Sequence, residues 1–237
     1  MLQKETIIMR YAIGDIHGCY KTLRKLVEDV LKLDKGDELY FVGDFIDRGP
    51  NSKGVVDYVL QLMHQGYHVY AVKGNHEEMM IDAFLNPTHD KFELWMLNGA
   101  DMTLSSYGIE SFLYMQEGAV NEIPEEHIDF LRKMPYYVEL DDYIVVHAGI
   151  NFQAEQPFRD TWSMVWCRDC SNDLSLSGNR KVIHGHTPMA VPQIKQMAGR
   201  KDTIQLNIDA GCVYTRHVGM GNLAAVDLDR MKIYSVG

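Results

Sequence analysis

Three short polar clusters stand out by residue type and spacing: Gly14-Asp15-Ile16-His17-Gly18, Gly43-Asp44-Phe45-Ile46-Asp47-Arg48-Gly49 and Gly74-Asn75-His76-Glu77. Two later segments, His147-Ala148-Gly149 and Gly185-His186-Thr187-Pro188, repeat the pattern of a polar residue beside small ones, and Arg168 lies in Val165-Trp166-Cys167-Arg168. Asp15, His17, Asp44, Asn75, His147 and His186 offer oxygen and nitrogen donors only. That mixture suits first-row divalent ions such as Mn, Fe or Zn, and it lacks the thiolates of a structural zinc site. Asp15 and His17 are two apart, so on extended backbone their side chains share a face. A carboxylate can bridge two ions. Six donors are too few to close two shells, which leaves positions for water and substrate, and open shells indicate catalysis.

The clusters need elements to carry them. Each of the first three follows an apolar run, Tyr11-Ala12-Ile13, Leu39-Tyr40-Phe41-Val42 and Val69-Tyr70-Ala71-Val72. Such runs, rich in β-branched and aromatic residues and closed by Gly, predict buried strands at about 10–13, 38–42 and 68–73. Helical spacing predicts helices over about 19–33, 55–63 and 77–85 between and after them. The alternation implies a parallel core with right-handed crossovers, in which the clusters sit at the carboxyl ends of the strands, the edge where open α/β sheets bind ligands. Pro124-Glu125-Glu126 marks a further helix start. Residues 136–140 and 143–147 around Asp141-Asp142 predict a hairpin. Short strands follow at about 181–184, 203–208, 222–227 and 231–235, so the second half reads as mainly β. His147 and His186 each come just after one of these later strands.

The 237 residues suit one large domain or two small ones with a sizeable core. A formal net charge of −10 argues against a general nucleic-acid coat. It leaves room for an anionic substrate, because a metal or a few Arg reverse the potential locally. No apolar run is long enough to cross a membrane. Ile7-Ile8-Met9 is too short for a signal peptide, Met9 is a candidate start, and the expected localisation is cytoplasmic. Cys19, Cys167, Cys170 and Cys212 do not form the pattern of a disulfide framework, and the Cys167-x-x-Cys170 spacing reads as chance.

The motifs Gly-Asp-x-His-Gly, Gly-Asp-x-x-Asp-Arg-Gly and Gly-Asn-His-Glu, with the two later His segments, resemble those of the calcineurin-like metallophosphoesterases. Within them the chain is most similar to the phosphoprotein phosphatase family in its compact bacterial and phage serine/threonine form. The resemblance runs from about residue 10 to 228, and residues 86–135 carry least of it. It implies one domain over 1–237, a four-layer α/β/β/α sandwich of two mixed β-sheets flanked by helices, with a helical cap-like region at about 86–135. Asp15 and His17 then hold the first of two divalent ions, Asp44 bridges, and Asn75, His147 and His186 hold the second. Mn is the expected ion, with Fe, Zn and Co as alternatives. Arg48 and Arg168 clamp the phosphoryl oxygens, a planar bidentate task that suits Arg. Asn75 and His76 also meet the substrate, and Asp47 orients His76 as general acid.

The implied reaction is hydrolysis of phosphoserine, phosphothreonine or small phosphomonoesters, with phosphotyrosine as an extension, by direct attack of a hydroxide shared between the two ions. The partner is then a phosphorylated protein or small phosphoester, without nucleic acid or membrane, and oligomeric state is left open. A symmetrical bis(5'-nucleosyl)-tetraphosphate hydrolase shares the motifs and is the alternative enzyme. An inert scaffold for phosphorylated partners is the non-enzyme alternative. Outside the motif set, His184 reads as structural, and His64, His68, His89, His127 and His217 read as surface residues. Glu77 reads as a partner of its own helix end. Asp209 reads equally as a turn residue or as a support for His186. The methionines clustered over 79–134 read as adaptable packing.

Overall fold

The computed structural model describes residues 8–109 and 122–237. Period-two alternation in the strands sorts its layers. In β1 (Arg10–Ile13), Tyr11 and Ile13 pack among helices while Ala12 faces the other way. In β2 (Glu38–Phe41), Leu39 and Phe41 join Tyr11 and Ile13, and Tyr40 joins Ala12. β3 (His68–Ala71) lies parallel to β2, which lies parallel to β1. The sheet is completed by β8 (Leu223–Asp227), antiparallel to β1, and by β9 (Lys232–Val236), giving the order β3-β2-β1-β8-β9.

The second sheet has the order β4-β5-β6-β7, from β4 (Tyr137–Glu139), β5 (Tyr143–Val146), β6 (Lys181–His184) and β7 (Gln205–Asn207). β4 and β5 form the expected antiparallel hairpin, and β5, β6 and β7 are parallel. Tyr143 and Val145 face Ala12, Tyr40 and Val226 of the first sheet; Ile144 and Val146 face outward onto Met164. The central strands therefore bury both faces, the condition under which parallel strands read as continuous apolar runs, whereas β3, expected to be buried, lies at the sheet edge with His68 and Tyr70 exposed. Fully burying an Ile or Phe of this kind contributes about 1.5–3 kcal/mol. The fold is the α/β sandwich of two mixed sheets flanked by helices that the motifs imply.

On the outer face of the first sheet lie α1 (Tyr20–Arg24), which continues as a π-helical stretch over Lys25–Leu31, and α2 (Ser52–His64). Asn51 caps α2 by accepting from the Gly54 N–H. α3 (Asn75–Leu85) begins within the third polar cluster, whose Gly74 precedes it, and α4 (His89–Leu97), α5 (Ala100–Ser106) and α6 (Glu125–Lys133) follow. These last three are the described part of the expected cap-like region; residues 110–121, with Met115, lie outside the described residues. Two helices depart from the mainly β second half. α7 (Thr161–Trp166) covers the outer face of the second sheet, capped by Asp160. α8 (Val191–Ala198) turns Val191, Ile194 and Ala198 into the layer between the sheets, with Pro in its first turn. No helix among the described residues is long and apolar enough to cross a membrane.

Candidate metal centre

The carboxyl ends of five parallel strands converge. Asp15 and His17 follow β1, Asp44 follows β2, Asn75 follows β3, His147 follows β5, and His186 follows β6. All six are buried. Five residues here hold left-handed backbone without being glycine: His17 (φ 46°), Asp44 (φ 52°), Asp47 (φ 70°), Arg48 (φ 65°) and His186 (φ 71°). Each such residue costs on the order of 1–2 kcal/mol, and residues of this kind gather at functional sites. Glycines make the turns possible by close approach. A Cβ on Gly49 would stand 1.7 Å from the His17 carbonyl oxygen, and one on Gly74 would stand 2.1 Å from Asp44 Oδ1.

The hydrogen bonds determine which ring nitrogens carry protons. His147 Nδ1 lies 2.8 Å from the Val42 carbonyl, which can only accept, so Nδ1 carries the proton and Nε2 presents a lone pair. His17 is arranged the same way, with Nδ1 donating to the Ile46 carbonyl at 2.9 Å. His147 Nε2 then stands 3.0 Å from Asn75 Oδ1, another lone-pair atom, and 3.1 Å from His186 Nδ1. His186 Nδ1 is itself 3.1 Å from Asn75 Oδ1. Asp44 Oδ2 completes the group at 3.5 Å from His147 Nε2 and 3.4 Å from His17 Nε2. A single ring proton cannot satisfy three acceptors that face one another, and Asp15 Oδ1 and His186 Nε2 are buried without a partner. The donor set fits divalent cations. His17, Asp44 and His76 could hold one ion, and Asp44, His147 and His186 another, with Asp44 common to both.

Electrostatics supports the same reading. Burial pushes His147 and His186 down to about 3 and holds His17 well below its ordinary range, so the imidazoles are neutral at neutral pH, the form in which a metal takes them. Burial, then Asp209 and Asp44, pushes the Asp15 carboxyl well up. Asp209, pushed up to about 7 by burial, stands beside Asp15 rather than His186, and it is the Asp15 charge that it influences. Positive charge among these carboxylates relieves their repulsion.

Beside the cluster stand His76 and Asp47. His76 Nδ1 is 2.7 Å from Asp47 Oδ2, and both side chains are fully buried. His76 Nε2 has no partner and lies 4.0 Å from Asp44 Oδ2. Burial lowers His76 to about 4 and raises Asp47 well above its ordinary value, while donors from Thr103 and Trp95 act to lower Asp47. Trp95 Nε1 donates to both Asp47 oxygens at 3.1 and 3.0 Å, and Thr103 Oγ1 donates to Asp47 Oδ1 at 2.6 Å. These supports come from α4 and α5, and sequence reasoning missed both. Arg48 is half-buried, with Nη1 2.9 Å from His17 Nε2. Arg168 is exposed just beyond α7, close enough that its charge lowers His186.

Other expectations are revised. Glu77 does more than serve its own helix end: it accepts from the N–H groups of Asp44, Phe45 and Gly74, each at 2.9 Å, and so ties the second cluster to the third. Burial, then Asp44, raises it to about 8. His184 lies outside the cluster, against Gln205 at 3.0 Å. His127 is not a surface residue: it is buried, 2.9 Å from the Tyr107 hydroxyl. Cys167 and Cys170 are joined in a disulfide, so their spacing is not incidental; Cys19 and Cys212 are free.

Comparison with known proteins agrees with this geometry. The chain is 27% identical over 258 residues to the asymmetrical bis(5'-nucleosyl)-tetraphosphatase PrpE of Anoxybacillus flavithermus, covering 94% of this chain and 92% of that protein. It is 28% identical over 188 residues to serine/threonine-protein phosphatase 1 of Salmonella typhimurium, covering 76% and 78%. Among solved structures, a putative diadenosine tetraphosphatase superposes with a TM-score of 0.66 at 20% identity, covering 98% of this chain and 94% of that one. A cold-active protein-tyrosine phosphatase of a psychrophilic Shewanella superposes at 0.59 and 16%, covering 98% and 81%. At these identities the structural likenesses bear on the fold. The family model described as calcineurin-like phosphoesterase matches residues 10–213, and the chain belongs to that metallophosphoesterase family.

Proposed function

We propose that the chain acts as one domain, in the cytoplasm, as a hydrolase of phosphomonoesters, with phosphoserine and phosphothreonine as preferred groups. The observation that carries this reading is the buried Asp47–His76 pair beside the cluster of facing lone pairs. Two divalent ions, Mn by preference, would be held by Asp15, His17, Asp44, Asn75, His147 and His186, and would supply Lewis-acid charge and a water of lowered pKa. Arg48, with Arg168, binds and orients the phosphoryl oxygens. The negative charge of a bound phosphoester would favour the protonated form of His76, which would give its Nε2 proton to the departing alkoxide while Asp47 supports the ring as it carries charge. Trp95 and Thr103 keep the Asp47 carboxylate in place.

A second reading is supported by one feature and by the relatives' names. A cavity of about 380 Å³ beside Arg48, lined by Leu97, Gly99 and Tyr214, has room for a planar leaving group such as a nucleoside. The relatives that match along most of their length are named asymmetrical tetraphosphatases, so asymmetrical cleavage is tested beside the symmetrical alternative. The test is turnover with added Mn of a phosphoserine peptide, a phosphotyrosine peptide and diadenosine tetraphosphate, beside a chelated control. Chelator-sensitive peptide turnover in excess of the nucleotide supports the first reading. Faster cleavage of the nucleotide to a mono- and a triphosphate replaces it with the second.

A further inference from the structure

We propose that Cys167 and Cys170 form a reversible redox site whose bridged state holds Arg168 ready for phosphate. The inference rests on the reading that Arg168 serves a phosphoester site. The bridge closes a ring of four residues that contains Arg168 and Asp169. Both flanks of that ring are anchored to elements beside the site. The Cys167 N–H donates to the Ser163 carbonyl in the last turn of α7, at 3.1 Å. The Cys170 carbonyl accepts from Gln205 Nε2 at 3.0 Å. Cys170 also packs directly on Gly149, two residues beyond His147: a Cβ added there would stand 2.9 Å from the Cys170 Cβ. After it, the Asn172 N–H donates to Gln205 Oε1 and its side chain donates to the Arg180 and Ile204 carbonyls.

Between these anchors Arg168 is exposed, and among the described residues no side-chain hydrogen bond fixes it. The bridge is therefore the local covalent restraint on the backbone that carries Arg168, whose charge reaches His186. Both cysteines are only half-buried, and they line a cavity of about 370 Å³ with Phe152, Trp162 and Asp169. Cys19 and Cys212 are free thiols elsewhere and take no part. Small thiols open a half-buried bridge of this kind by exchange, and their disulfide, as the oxidant, re-forms it by the reverse reaction.

The exchange balances as follows. A thiolate of a small thiol such as glutathione attacks one sulfur, the Cys167–Cys170 bond breaks, and a mixed disulfide forms. A second thiol displaces it. Two glutathione thiols are oxidised to one disulfide, and the pair leaves as two cysteine thiols with two electrons and two protons gained. Arg168 is unchanged chemically but loses its tether, so phosphate binding weakens by roughly three- to tenfold, the scale on which a pre-positioned side chain changes affinity.

The test uses the full-length protein loaded with Mn and equilibrated in glutathione buffers from fully reduced to fully oxidised. Alkylation followed by mass spectrometry counts the bridged fraction, and calorimetry gives the affinity for inorganic phosphate in the same samples. The expected result is a two-electron transition at 167–170 and phosphate binding three- to tenfold tighter in the bridged state. Cys170→Ser, or Cys167→Ser if the first folds poorly, should bind phosphate at the reduced value in every buffer. Both variants keep Cys19 and Cys212, so any response of those thiols cancels in the comparison. A bridge that cannot be reduced without unfolding, equal phosphate affinity in the two states, or tighter binding in the reduced state would overturn the proposal, while Mn-dependent turnover would leave the phosphoesterase reading standing. A clean redox transition with neither phosphate binding nor turnover in either state would fault that reading, and the proposal would fall with it.

Discussion

Replacing Thr103 by Val tests the acid–base pair without touching a metal ligand. Val keeps the shape but removes the O–H that donates to Asp47 Oδ1 at 2.6 Å, and removes the oxygen that accepts from the Asp47 N–H at 2.8 Å. The N–H keeps Ser52 Oγ as an acceptor, so the backbone loses little. The carboxylate loses a hydrogen bond to a charged group, about 1.5–3 kcal/mol, which raises Asp47 further. Asp47 then supports a positive His76 less well. If half to all of that loss reaches the transition state, kcat falls roughly 4- to 150-fold. The loss should depend on the leaving group, because an alkoxide needs the proton more than a phenolate does. The assay compares kcat for a phosphoserine peptide and for an aryl phosphate, with Mn content and melting temperature measured alongside. The expected result is a drop of at least fourfold for the peptide, clearly smaller for the aryl ester, with metal content unchanged. An equal drop for both esters, or a drop that follows lost metal, would show that Thr103 acts through the fold and would refute the reasoning.

His76→Asn should retain Mn and lose turnover by about 100-fold or more, as measured by metal analysis beside kcat. Gly74→Ala places a Cβ 2.1 Å from Asp44 Oδ1, so Mn affinity measured by calorimetry should weaken by about tenfold or more. Glu77→Gln keeps the shape but halves the acceptors facing three backbone N–H groups, and denaturant unfolding should show a loss of about 2–3 kcal/mol. Burial lowers His184 to about 4, so the folded state keeps it neutral. Its contribution, about 3 kcal/mol, is complete above pH ~6.5 and is lost as pH falls towards 4. Unfolding curves of His184→Gln should therefore depend less on pH across that window than those of the unchanged chain.

The strands and their polar ends were legible because burial on both faces produces apolar runs, and because turns that approach a site closely demand Gly. The ligand candidates were legible for the same reason, since each ends a strand. What was not legible arises from contacts between distant segments. Trp95 and Thr103 meet Asp47 from 48 and 56 residues away, and nothing local marks them. Glu77 looked like a first-turn acid, and only the fold brings the Asp44 and Phe45 amides to it. His127 looked exposed on its helix until Tyr107 covers it. α8 carried a readable signal, Val191, Ile194 and Ala198 one helical face apart with Pro192 at its start. α7, at six residues, is too short for periodicity to register. The Cys167–Cys170 bridge depends on how the chain turns after α7, which spacing alone does not specify.

The central claim is that facing lone pairs on Asp44, Asn75, His147 and His186, with Asp15 and His17, form a two-cation hydrolytic centre. The most direct measurement strips the purified protein with chelator and titrates Mn back, following binding by calorimetry and hydrolysis of an aryl phosphate in the same samples. The account predicts two Mn per chain, activity that rises as the sites fill, and loss of both on His147→Ala. Hydrolysis at full rate by the stripped chain, or undiminished Mn binding by His147→Ala, would contradict it.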